Sequence, residues 1–151
     1  MTNPIPEGYH SVTPYLIIKD AAAAIEFYKK ALNAKEVVRM PMPDGRIGHA
    51  ELLIGDSHIM LADEMPDMGH RSPSTLGGTT FSLMLYVQNV DAQFEQAVSA
   101  GAKVLRPLAD QFYGDRTGGI EDPFGHQWYL ATHIEDVEPE EMKRRMAAQG
   151  H

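Results

Sequence analysis

The 151-residue chain contains no cysteine. That excludes disulfides and thiolate metal centres, and it fits a reducing compartment. No apolar run approaches the roughly 20 residues a membrane-spanning helix needs, so no membrane partner is expected. The opening stretch MTNPIPEGYHSVTP has neither a basic start nor an apolar run behind it. No secretory signal is therefore expected, and the expected compartment is cytoplasmic. Positive charge is scarce: 13 Lys and Arg stand against 21 Asp and Glu, for a net charge of -8. Such a field repels phosphate backbones and anionic lipid, arguing against nucleic acid as a partner, and it attracts cations. It also serves plain solubility. Motifs of the HExxH, P-loop, GxGxxG and GxSxG types are missing.

What the chain does have is an internal repeat. One half runs SVTPYLIIKDAAAAIEFYKKALNAKEVVRM and then GHAELLIGDSHIMLADE; the other runs TTFSLMLYVQNVDAQFEQAVSAGAKVLRPL and then RTGGIEDPFGHQWYLATH. Each opens with an apolar strand, Thr13–Ile18 or Phe81–Val87. A short polar residue follows, Asp20 or Asn89, able to accept from the free N–H groups of a helix's first turn. Ile25, Tyr28 and Leu32 share one face of the first helix, and Phe94, Ala97 and Val98 one face of the second. Extended stretches follow at Lys35–Met40 and Lys103–Pro107. Hairpins then turn through Gly55-Asp56 and Pro123-Phe124-Gly125. Asp20 and Asn89 are 69 residues apart, and so are Leu61 and Leu130. The pattern predicts an α+β fold: two β-α-β-β-β modules forming curved mixed sheets around a cavity, as a single domain over residues 1–151. Module one covers about 8–64, a linker 65–79, and module two about 80–133. The linker, rich in Gly, Pro and Ser, is expected to be a mobile connector or lid. A C-terminal helix is expected within 134–151, acidic at its start and basic after it, serving a dimer contact or solvated.

The stretches IGHAELLIGDSHIMLADEMP and FYGDRTGGIEDPFGHQWYLATH, set in the paired pattern, resemble the vicinal-oxygen-chelate superfamily of glyoxalase I, bleomycin-resistance proteins and extradiol dioxygenases. The turn Asp122-Pro123-Phe124-Gly125 is widespread across that superfamily, while Gly114-Asp115-Arg116 is more restricted, and within the superfamily the chain resembles the PhnB-like branch. The resemblance implies a homodimer, and a divalent metal held by one side chain from the first and one from the last strand of each half. Those positions are Thr13, Met60, Ser82 and Tyr129. None is the imidazole or carboxylate that such a site uses, so neither a metal nor any other cofactor is expected.

The Gly55-Asp56 turn fixes parity: Glu51 sits opposite Met60, and His49, Glu51, Leu53, His58 and Met60 share a face. His49 and Glu51 are then candidates for a general acid/base pair, for metal ligation with His58, for ligand binding, or for a hydrogen-bonded pair that orders the sheet. Tyr15, Ser82, Tyr86 and Tyr129 share the inward parity and could line a pocket, while Trp128 falls in the core. Arg116 could grip an anion at the rim, or pair with Asp115 or Glu121. A small-molecule ligand, cationic or aromatic, in the inter-sheet cavity fits these features. The alternative is a metal-dependent lyase, isomerase or dioxygenase with a rearranged site at His49 and Glu51. An interaction module with no small-molecule role is the third possibility.

Overall fold

The computed structural model describes residues 2–150. Its first helix, α1 (Ala21–Leu32), starts where the Asp20 carboxylate accepts from Ala23 N–H at 3.2 Å, and it stops where Asn33 turns left-handed. In the second repeat, Asn89 accepts from Ala92 N–H at 3.1 Å to start α3 (Val90–Ala100), and Gly101 ends it. Both caps are the expected ones. Around α1 lie β1 (Tyr15–Ile18), β2 (Lys35–Pro41), β3 (Ile47–Ile54) and β4 (Ser57–Asp63), in sheet order β1-β4-β3-β2. Around α3 lie β5 (Ser82–Tyr86), β6 (Lys103–Asp110), β7 (Asp115–Glu121) and β8 (Gln127–His133), in order β5-β8-β7-β6. In both sheets the first strand is parallel to the last and the other pairings are antiparallel. The two mixed sheets with helices are the expected α+β architecture.

The 69-residue spacing appears as register. Tyr15 pairs with Met60, and 69 residues later Met84 pairs with Tyr129. On β3 and β7 the spacing is 68, because Leu53 pairs with His58 whereas Glu121 pairs with Gln127. The second hairpin carries one residue more. That residue makes room for a cup in which the buried Asp122 accepts from Phe124 N–H (2.9 Å), His126 N–H (3.0 Å), Trp128 Nε1–H (3.0 Å) and the Tyr28 hydroxyl (2.5 Å). Tyr28 belongs to α1, so the carboxylate fastens module one to module two.

Alternation sorts the faces as expected. Leu16, Ile18, Leu52, Leu61, Ile120, Trp128 and Leu130 turn toward the helices and share one buried core with Ile25, Tyr28, Leu32 and Ala97. Val98 does not join it; α3 buries Val90 and Ala97, packs Phe94 against the core, and leaves Val98 exposed. Positions 90, 94 and 97 make up the centre of the buried stripe, and 98 falls at its solvent edge. The linker is also more ordered than its composition suggests. Pro66–Met68 form a 3-10 turn and α2 (Pro73–Leu76) a single helical turn, each opened by proline and closed by a left-handed glycine. Glu64 ties them down by accepting from Ser72 N–H (2.7 Å) and Ser72 Oγ (2.6 Å). The last helix, α4 (Pro139–Ala148), is shorter than the 134–151 span, and Arg145 anchors it to Glu135 and to the Phe112 carbonyl. Gly114 is required where the tail crosses: its φ is +99°, and a β-carbon there would meet the Glu135 carbonyl oxygen at 2.1 Å.

Candidate functional site

The face of each sheet turned away from the helices is open. On the first sheet it carries Tyr15, Met60, Glu51 and His49, linked as the hairpin parity requires. The Tyr15 hydroxyl lies 2.8 Å from His49 Nδ1, and His49 Nε2 lies 2.8 Å from Glu51 Oε2. The other Glu51 oxygen accepts from the Tyr9 hydroxyl. Tyr9 stacks on His58 at a centroid distance of 4.0 Å, and the His58 Nδ1 faces the Gly8 carbonyl at 3.1 Å. Residues 8–9 therefore fold onto the sheet, and His58 is engaged by them rather than by His49 or Glu51. Tyr9 is a participant the sequence did not suggest, since it lies outside any periodic element. Burial pushes the Tyr15 phenol above its ordinary value.

The second sheet presents Ser82, Met84, Tyr86, Tyr129 and Asp115. The Asp115 carboxylate is buried, and it accepts from the Tyr86 hydroxyl at 2.7 Å and faces His133 Nδ1 at 2.8 Å. His133 Nε2 meets Asp136 at 2.7 Å. Hydrogen bonds to Asp115 and then Asp136 raise the His133 pKa. The bond to Asp115 raises that of Tyr86. Tyr113 is raised by burial, with the charges of Asp115 and Tyr129 adding to it, so two phenols, Tyr86 and Tyr113, stand by the Asp115 carboxylate. His133 was not singled out from the sequence. Its parity with Tyr129 on β8, and the pairing of Asp115 with His133 across the sheet, were the available signals.

The expected ligand residues thus divide between two open faces instead of gathering in one chamber. Tyr15, His49, Glu51 and Met60 lie on the first sheet; Ser82, Tyr86 and Tyr129 lie on the second. At the seam between the modules is a cavity of about 450 Å³ reached by Thr13, His58, Ser82, Met84 and Trp128. A recess of about 270 Å³, reached by Tyr15, Arg71, Phe81 and His126, also lies at this seam. Arg116 is placed otherwise than expected. Next to Asp115 in an extended strand, it points to the opposite face, where Asp91 of α3 (2.9 Å) and Asp110 (3.1 Å) hold its guanidinium. Neither Asp115 nor Glu121 is its partner, and it does not stand on the open face.

The four positions at which the superfamily pattern would place metal ligands offer a threonine just before β1, a thioether, a serine hydroxyl and a phenol. That donor set does not suit a catalytic divalent cation. Among the described residues, no group of three or more His, Asp or Glu is placed to hold a metal ion. No helix among them is long and apolar enough to cross a membrane.

Residues 8–130 match the family described as Glyoxalase/Bleomycin resistance protein/Dioxygenase superfamily. An uncharacterized protein of Mycobacterium bovis is 45% identical over 143 residues, covering 93% of this chain and 94% of that one. Protein YjdN of Escherichia coli is 26% identical, over 79% of this chain and 92% of its own. Among solved structures, TioX from Micromonospora sp. ML1 superposes with a TM-score of 0.66 at 27% identity, covering 83% of this chain and 99% of its own. The PhnB protein of Bacillus cereus gives a TM-score of 0.63 at 18% identity, with 82% and 99% covered, a likeness of fold alone.

Proposed function

This chain belongs to the glyoxalase/bleomycin resistance protein/dioxygenase superfamily, and on that premise we propose that it binds a small flat or cationic organic molecule on its open sheet faces without the superfamily's metal. One observation carries the reading. At register-equivalent positions each module presents a tyrosine beside a methionine, Tyr15 with Met60 and Met84 with Tyr129. Phenol rings and polarizable thioethers make a soft, apolar platform for a planar ligand, and rings beside a carboxylate attract organic cations. Tyr86 and Tyr113 beside Asp115 supply that second feature, and the net charge of -8 favours a cation at longer range.

Two half-open faces enclose a ligand best when a second copy of the chain closes them, so the working unit is a homodimer. Exposed Tyr15, Met40, Met84 and Tyr86 are the surface such a partner covers. A thermal-shift screen of planar aromatics and organic cations tests the reading, because a ligand that binds only the native state raises its melting temperature. We expect stabilisation by at least one class, lost in Tyr129→Leu. A panel without any shift, together with a monomer by light scattering, would sink it.

A further inference from the structure

We propose that Tyr15, His49 and Glu51 form a metal-free proton-transfer site acting on a flat conjugated ketone or its enol, bound in the recess beside Tyr15; the proposal rests on the small-molecule reading above. With Glu51 ionised and His49 carrying a single ring proton, the hydrogen bonds run in one direction. An ionised Glu51 only accepts, so His49 Nε2 carries a proton toward it, and Tyr9 donates to the other oxygen. The neutral imidazole then offers its Nδ1 lone pair to the Tyr15 hydroxyl, whose proton burial retains. This is a hydroxyl–imidazole–carboxylate series with a phenol at its open end. It sits on β1 and β3 on either side of Met60, and it uses none of the four side chains at the superfamily's metal positions.

The recess fits the substrate class. Ile17, Leu76 and Phe81 wall its apolar part, and Arg71 lies at the same opening. A planar body fits between the rings, and a carbonyl oxygen facing Arg71 has its developing charge stabilised. In the step itself, a C–H bond next to the carbonyl breaks and its electron pair moves into the carbonyl, giving an enolate. The released proton joins Tyr15 Oη while the Tyr15 proton passes to His49 Nδ1, leaving an imidazolium against the Glu51 carboxylate. Reversal returns a proton to carbon or to oxygen of the same molecule. No oxidant, reductant or second substrate is consumed. A phenol–imidazole pair is a weak base, which restricts it to carbon acids whose conjugate base is delocalised.

Benzoylacetone and 2-tetralone are suitable probes, with exchange of their acidic C–H for deuterium followed by proton NMR in deuterated buffer containing a chelator. The protein is expected to accelerate exchange roughly 100-fold or more over buffer. Tyr15→Phe, which keeps the ring and its packing, should lose at least tenfold of that rate. Glu51→Gln should lose a similar amount, and Glu51→Asp should recover part. Added imidazole should restore exchange to His49→Ala, which a merely structural histidine would not allow. Exchange at the buffer rate, or a Tyr15→Phe rate within twofold of the parent, overturns the proposal. If saturation-transfer signals show either probe bound while exchange stays at the buffer rate, the binding reading survives alone. If neither the probes nor the screening panel bind, both fall.

Discussion

The phenol ring of Tyr129 lies directly over Gly119, such that a β-carbon at 119 would stand 2.8 Å from Tyr129 Cε1. Gly119 occupies in module two the place that Glu51 holds in module one, opposite the last strand's Tyr129 or Met60. Where one half projects a carboxylate, the other lays down an aromatic ring. Gly119→Ala should push that ring off the sheet. We expect at least a tenfold loss of ligand affinity with a stability change within about 1–3 kcal/mol, measured by titration and urea unfolding.

Asp122 should dominate the stability of the junction between modules. Asp122→Ala strands the buried Tyr28 hydroxyl, the Trp128 indole N–H and two backbone N–H groups at once. A loss of roughly 3 kcal/mol or more is expected, against about 1.5 kcal/mol for Tyr28→Phe, which removes one donor. Urea midpoints, with near-ultraviolet dichroism of Trp128, check the ranking.

His133 should link pH to stability. Its folded pKa lies above the ordinary 6.5 because Asp115 and Asp136 bind the protonated ring. A raised value means that the stabilisation is fully present below pH 6.5 and fades as pH rises through the folded pKa. The melting temperature should therefore decline from pH 6 to pH 8 in the parent and decline less in His133→Asn. An NMR titration midpoint for His133 at or below 6.5 would contradict this.

Glu64 acts at the acid end. Hydrogen bonds from Ser72 and Thr75 hold its carboxyl near a pKa of about 2, against an ordinary 4.5. A depressed value gives stabilisation present above pH 4.5 and lost as pH falls toward 2. The linker turns at Pro66–Met68 and Pro73–Leu76 should loosen first on acidification, seen as early hydrogen exchange at Thr75 to Gly78. Glu64→Gln should show that exchange already at pH 6.

Much of this molecule was legible in the residues alone. Asp20 and Asn89 announced both helices, the Gly55-Asp56 turn set which side chains accompany Met60, and the 69-residue spacing became strand register. Local chemistry and the period of two suffice for such features. Arg116 shows where they stop. Its adjacency to Asp115 suggested a pair, yet neighbours in a strand face opposite ways, and its partner Asp91 is 25 residues distant on another element. Tyr9 and His133 were missed for the same reason: each acquires its role from a residue brought near only by folding. Val98 was misplaced because two adjacent helical positions, 97 and 98, cannot both lie at the centre of one stripe.

The extra residue in the second hairpin breaks the likeness of the halves at one point. Duplicated modules of equal length would present two copies of one surface, and a ligand could settle on either with equal affinity. Here one turn has become an internal fastener, and the strand beside it has traded a carboxylate for a glycine under a ring. The molecule has thereby acquired a polarity. On the binding reading proposed above, a compound would meet a carboxylate-bearing side and an aromatic side, which favours one orientation over its reverse.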